Sequence, residues 1–222
     1  QGAHILVLSH LGKIKNEDDK KKNTLLPVSI AMENLLGQQI KFIPNTRGKE
    51  LEKALQENVI VMMENTRYED IPNALESKCD ESLSSYWASL GDVFINDAFG
   101  TTHRKHASNY GISKYLESGY GFLIEEELNG LKPIVENIAH PFVVIMGGAK
   151  VDDKIALMQS LLKDCDALLV GGGIANTFLK AKSYNIGSSL YSEAYMDAVK
   201  EILTEYSDKI FMPEDVLVQR KD

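Results

Sequence analysis

Cysteine is scarce in this 222-residue chain: Cys79 and Cys165 stand alone, far apart. Two such thiols make neither a disulfide framework nor a zinc-site spacing, so a reducing cytoplasm is the expected setting. Long apolar runs are missing as well. None approaches the roughly 20 residues that cross a bilayer, and no N-terminal stretch has the basic, apolar, small-residue order of a signal peptide, so no membrane partner is expected. Basic residues are in deficit, 24 Lys and Arg against 32 Asp and Glu, for a net charge of −8. Such a chain is repelled by nucleic-acid phosphates unless a basic patch is locally concentrated, which argues against a general nucleic-acid binder. A small anion is not excluded, because it needs only a few cations at one place. What the chain does have is 44% hydrophobic residues, enough for one large core or two smaller ones. It starts at Gln1, not Met, and runs almost at once into an apolar segment, so the expectation is of a fragment.

Short apolar runs alternate with helical patterns. Ile5 to Leu8, Ile40 to Ile43, Val59 to Met63 and Val93 to Ile95 read as strands. Leu25 to Leu36, stopped by Gly37, Leu51 to Leu55 and Glu81 to Leu90 read as helices. The stretch from Gly121 to about Ile138 reads as one long helix. After it the alternation restarts. Phe142 to Met146, Ala167 to Val170 and Ile210 to Met212 are strands, with helices at Asp152 to Leu162, up to Leu179, and Met196 to Tyr206. The pattern predicts an α/β protein: two open parallel-sheet, Rossmann-like domains with helices on both faces, joined by the long helix and both incomplete. The boundaries read as 1–120, 121–140 and 141–222. Lys20 to Lys22, following Glu17 to Asp19, reads as a solvated loop.

In open α/β sheets, ligands sit beyond the carboxyl ends of the strands. Three such ends in the first half carry Ser9-His10-Leu11-Gly12-Lys13, Glu64-Asn65-Thr66-Arg67-Tyr68, and Asn96-Asp97 running on to His103-Arg104-Lys105-His106. One histidine after a strand is ordinarily a structural hydrogen-bonder, and one arginine an ion-pair partner. Lys105 reads as merely exposed, and Asn96-Asp97 as a tie between the turn and nearby amides. Together, though, His10, Lys13, Arg67, His103, Arg104 and His106 form a cationic set in an acidic protein. A small multiply charged anion is the simplest ligand, because arginine forks match phosphate and carboxylate oxygens.

The second half differs. Strand 142–146 leads into Gly147-Gly148-Ala149-Lys150-Val151-Asp152-Asp153-Lys154 at the opening of a helix. Bare backbone, helix-start amides and lysines one turn apart make a phosphate cradle in physical terms. A tight turn with exposed lysines is an equal alternative at this point. It is not a Walker A loop, since no G-x-x-x-x-G-K-[ST] occurs. Strand 167–170 leads into Gly171-Gly172-Gly173-Ile174-Ala175-Asn176, which nearly fits the dinucleotide fingerprint but has Asn176 where Gly or Ala belongs. The first half reads as an anion site and the second as a nucleotide-phosphate site.

These motifs, with Gly121-Phe122-Leu123-Ile124-Glu125 and Met212-Pro213-Glu214-Asp215, resemble phosphoglycerate kinase in order and through the whole chain. The resemblance implies phosphoryl transfer between 1,3-bisphosphoglycerate and ADP, giving 3-phosphoglycerate and ATP, with magnesium carried by the nucleotide and no metal site on this chain. It implies that His10, Leu11, Gly12, Lys13, Arg67 and Arg104 hold the phosphoglycerate. Gly148, Ala149, Lys150, Lys154 and Gly171 to Gly173 would hold the nucleotide, and Lys150 would also be catalytic by neutralising the transferring phosphoryl group. The family's habit implies a monomer.

Two features depart from the family. Lys13 stands where the family usually has arginine, keeping the charge and losing the planar fork. The family's opening Asp-Phe-Asn-Val-Pro strand, the arginine after it, and the later nucleotide-domain parts with a glycine-rich helix start and a magnesium aspartate do not occur in the sequence. The alternatives are therefore a fragment that binds anions or nucleotides without turnover, and, from the near-fingerprint at Gly171, a nicotinamide-dependent dehydrogenase. Asn176 counts against the latter.

Overall fold

The computed structural model describes residues 2–149 and 151–218. By its internal contacts the chain divides into two compact units, Gln1–Asn129 and Gly130–Asp222. In chain order the first unit carries β1 (Ile5–Val7), α1 (Glu17–Lys22), α2 (Leu26–Leu36), β2 (Lys41–Ile43), α3 (Lys49–Glu57), β3 (Ile60–Met63), α4 (Glu81–Ala88), β4 (Val93–Asn96), β5 (Glu117–Tyr120) and the start of α5 (Phe122–Val135).

Every pairing is parallel, but these five strands form two sheets, β1-β3-β2 and β4-β5. The central place of β3 follows from its sequence. All four of its residues are apolar and buried. Successive side chains point to opposite faces, so Val61 and Met63 join Ile43, Leu51, Leu83 and Trp87 in one core, while Ile60 and Met62 join Leu25 and Ile40 in another. Leu6, Leu8 and Phe94 pack against the first of these cores, so both sheets share it. Gly37 closes α2 at φ 62°, a left-handed position.

Three local readings are corrected. Residues 17–22 form a helix, not a loop. Asn16 caps it by accepting from Asp19 N at 2.9 Å, its acidic first turn and basic last turn suit the helix dipole, and Lys20 and Lys21 pair with Glu17 and Asp18. Strand β5 was not legible, because Glu117-Ser118-Gly119-Tyr120 has no apolar run and is exposed throughout. Helix α5 stops at Val135, with Pro133 in its last turn and Asn137 at φ 61° beyond it.

The second unit carries β6 (Val143–Met146), α6 (Ile155–Asp164), β7 (Ala167–Val170), α7 (Gly172–Ala181), α8 (Met196–Glu205) and β8 (Ile210–Phe211), with a parallel sheet in the order β6-β7-β8. Met158 and Leu162 of α6, Ile174 and Phe178 of α7, and Val199 and Ile202 of α8 meet Met146, Leu168 and Val170 in one core. The other strand face is open: Ile145 is 80% exposed, and Val143, Leu169 and Phe211 are exposed as well. Helices on both faces were expected. Here β6, β7 and β8 bury alternate residues only, as a sheet covered on one side does. Among the described residues no helix is long and apolar enough to cross a membrane.

Candidate functional site

In the first unit, loops from three strand ends are stitched together by buried polar groups. Past β1, Ser9 O accepts from Thr66 N at 3.0 Å. The Asn65 side chain, fully buried, donates to Leu11 O and Asn23 O, both at 2.8 Å, and accepts from Arg67 N at 3.1 Å. The same region requires a glycine at position 12: φ is +63°, and an added Cβ would lie 2.8 Å from Asn23 Oδ1. Buried Glu64 anchors this layer, accepting from Thr24 Oγ1 at 2.6 Å, Leu25 N at 2.7 Å and Asn65 N at 2.8 Å.

A 3₁₀ turn at Thr66–Asp70 follows β3 and carries Arg67, whose Nε donates to Asp70 Oδ2 at 3.0 Å. Further along that loop lies Glu76, buried. Its carboxylate accepts from Ser108 N at 3.0 Å and from Ser108 Oγ, and its carbonyl accepts from Ala107 N at 2.9 Å. These bonds fasten the segment after β4, which carries His103, Arg104 and His106, onto the segment after β3. Burial pushes the Glu76 carboxyl above its ordinary pKa, against the pull of its Ser108 bonds. His106 Nδ1 stands 3.7 Å from Glu76 Oε1.

The electrostatics show which cations are brought together. His10 is held below its ordinary pKa by desolvation, then by the Arg67 and Arg104 guanidinium groups. His106 is lowered by desolvation, Arg67, Arg104 and His10, with Asp70 opposing. So His10, Arg67, Arg104 and His106, spread over 97 positions of sequence, feel one another's charge. Lys13 is exposed and makes no ion pair or side-chain hydrogen bond among the described residues. Arg104 Nε donates to His103 Nε2 at 3.2 Å, and both side chains are exposed. Lys105 is exposed, over the Tyr110 ring. Asn96 and Asp97 are structural ties, accepting from Ala98 N and from Ile124 N in the first turn of α5. An open cavity of about 360 Å³ lies beside Arg104 among Phe94, Asn96, Thr102, Tyr110 and Tyr120, and neither His10 nor Arg67 lines it.

In the second unit the two glycine-rich strand ends lean on each other. Ile174 N donates to Gly148 O at 3.2 Å, and Gly171 N to Met146 O at 2.9 Å. A Cβ on Gly173 would come within 2.3 Å of Ala149 O, and one on Gly172, at φ +59°, within 3.2 Å of Gly148 O. Bare backbone at Gly172 and Gly173 thus serves contact between the loops. Nor do Gly148 and Ala149 open an α-helix, for a 3₁₀ turn at Asp152–Lys154 intervenes before α6. Lys154 Nζ does reach over Gly148, 2.9 Å from where a Cβ would stand. That places one cation on the loop. Lys150 lies outside the described residues.

A family model described as phosphoglycerate kinase matches residues 1–222. The chain belongs to the phosphoglycerate kinase family. It is 50% identical to the phosphoglycerate kinase of Staphylococcus carnosus and 48% identical to that of Listeria monocytogenes serovar 1/2a, over 224 residues, covering 100% of this chain and 57% of each relative. It therefore spans little more than half the length of these phosphoglycerate kinases. Among solved structures, the phosphoglycerate kinase from Coxiella burnetii matches with a TM-score of 0.78 at 32% identity, covering 95% of this chain and 53% of that one. The enzyme from Pyrococcus horikoshii OT3 matches with a TM-score of 0.77 at 26% identity, over 96% and 55%.

Sequence reasoning found the cations of the first unit and missed the residues that hold them. Asn65 stood inside the Glu64–Tyr68 motif without its holding role being legible, and Asp70 and Glu76 carry no motif signal, because each acts through a partner remote in sequence or through one oxygen of a turn. Only the strand-end position of Asn65 and Glu64, beside Arg67, could have pointed to them.

Proposed function

We propose that this phosphoglycerate kinase chain serves reversible phosphoryl transfer between 1,3-bisphosphoglycerate and ADP, yielding 3-phosphoglycerate and ATP. The observation that carries the proposal is the cluster of His10, Arg67, Arg104 and His106, gathered from three strand ends in a chain of net charge −8. A cluster of that kind suits a ligand bearing both a phosphate and a carboxylate. In this reading, residues 1–120 bind phosphoglycerate, with Leu11 and Gly12 offering backbone and Lys13 a further cation. Residues 121–140, which include α5, connect the two, and 141–222 bind ATP or ADP through Gly148, Ala149, Lys154 and Gly171 to Gly173.

The chemistry is displacement at phosphorus. An oxygen of the terminal phosphate of ADP attacks the acyl phosphate, the bond to the carboxyl oxygen breaks, and the carboxylate leaves. The protein's part is positioning and charge stabilisation, and no covalent enzyme intermediate is needed. Lys150 takes the role of neutralising the phosphoryl oxygens. In this reading magnesium would arrive on the nucleotide phosphates. A cytoplasmic setting accords with the cysteine usage, the lack of a nucleic-acid partner with the charge, and a monomer with the family's habit.

The test is ATP-dependent phosphorylation of 3-phosphoglycerate with magnesium, trapping the acyl phosphate as it forms. Turnover supports the proposal. Binding of both ligands without turnover leaves the chain as a binding fragment, and binding of neither overturns the reading. The dehydrogenase alternative predicts thermal stabilisation by NAD instead of ATP. Against it, Asn176 donates its side-chain amide to Leu190 O at 3.1 Å and so has a structural task of its own.

A further inference from the structure

Arg67 and Asp70 sit three residues apart in the 3₁₀ turn after β3 and face each other, with side chains only 12% and 7% exposed. Asp70 is held at both oxygens. Oδ2 accepts from Arg67 Nε at 3.0 Å, and Oδ1 accepts from the backbone N of Ser77 at 2.8 Å. The second bond ties the carboxylate to the loop that carries Glu76, and so to the segment bearing Arg104 and His106. Among the described residues Asp70 is the guanidinium's one side-chain partner, and the bond uses Nε. The paired terminal nitrogens are left to meet the oxygens of an anion.

A carboxylate next to an anion site is an electrostatic cost to that site. Asp70 opposes the effect of the arginines on His106, so its charge reaches the cationic cluster. Pure electrostatics would favour a neutral residue here. A buried carboxylate is tolerated here where what it holds in place, the Arg67 guanidinium and the Ser77 amide, outweighs the repulsion it brings. We infer that Asp70 is a positioning residue for the anion site, one that holds the Arg67 guanidinium in the orientation that receives the ligand. This rests on the phosphoglycerate reading above.

The sign of one substitution separates the two effects. Asp70→Asn keeps the shape and removes the charge. If Asp70 acts only through its charge, the variant binds anion more tightly; if it positions Arg67, the variant binds more weakly. The experiment is calorimetric titration of 3-phosphoglycerate into this chain and its Asp70→Asn, Arg67→Ala and doubly substituted variants, with ATP titration and thermal unfolding alongside. The expected result is about ten-fold weaker 3-phosphoglycerate binding in Asp70→Asn, unchanged ATP binding, and no further weakening by Asp70→Asn once Arg67 is alanine. Equal or tighter binding in the single variant overturns the inference. So does equal weakening with and without Arg67, because that signals general loosening of the loop. If Asp70→Asn does not fold, Asp70→Ser runs through the same cycle with the same reading. Failure of the unsubstituted chain to bind 3-phosphoglycerate overturns the functional reading and this inference with it, and is distinct from every outcome that needs a variant.

Discussion

Asn65 Nδ2 donates to the carbonyl oxygen of Leu11 at 2.8 Å, joining residues 54 positions apart at the ends of two neighbouring parallel strands. The same nitrogen donates to Asn23 O, so one buried amide group fixes the chain after β1 at two points. That chain carries His10, and Asn65 is followed two residues later by Arg67. Truncation to alanine leaves two carbonyls without their donor. Asn65→Ala should cost about 1–3 kcal/mol of stability, read from urea unfolding. It should also weaken 3-phosphoglycerate binding, since His10 and Arg67 lose their common reference.

Glu76 does the corresponding work on the other side of the cluster. With Glu76→Ala the amide and hydroxyl of Ser108 lose their buried acceptor. A loss of about 1–3 kcal/mol is expected, together with faster hydrogen exchange at the amides of residues 104–109 than in the β1-β3-β2 sheet. Uniform protection across both regions would show that the Glu76 tie does not hold this segment.

The two histidines predict a pH dependence. His10 and His106 are held below the ordinary imidazole value of 6.5 by desolvation and by the arginines. Between their depressed values and 6.5 the unfolded chain binds more protons than the folded one, so their contribution makes stability fall as pH drops below about 6.5, until the folded values are passed. A bound anion works the other way, because it raises both histidine values. Affinity should therefore rise as pH falls from about 8 to about 6. Sulfate is the probe of choice, as it does not titrate in this range. Replacing both histidines by glutamine should flatten the profile, and a profile that survives would assign the pH dependence to other groups.

Gly173→Ala tests the contact between the glycine loops of the second unit. The added Cβ would stand 2.3 Å from Ala149 O and 3.0 Å from Gly148 O, and backbone cannot yield as a flexible side chain does. Thermal unfolding should show a loss of about 1–3 kcal/mol, with weaker ATP binding as Gly148 and Ala149 shift. Gly187→Ala is a control for backbone strain without crowding, since φ there is +59° and nothing lies within 4 Å.

What the sequence determined by itself was whatever repeats locally or carries charge. The β/α alternation, the fully buried β3 and the glycine stop of α2 follow from side-chain period and backbone preference over a few residues. The cations after β1, β3 and β4 were legible because strand ends of a parallel sheet are where ligands go, and the ordered motifs carried the family resemblance. Tertiary structure alone decided the rest. Strand β5 owes its place to pairing with β4, since its exposed Glu117-Ser118-Gly119-Tyr120 has no apolar pattern to announce it. One-sided cover of β6, β7 and β8 depends on where three helices pack, which a short apolar run does not encode. That the glycines at 172 and 173 also face Gly148 and Ala149 was not legible, because backbone proximity across 24 residues has no local signature. Asn65, Asp70 and Glu76 organise the cluster through hydrogen bonds whose strength depends on burial and direction, and neither quantity exists until the chain has folded.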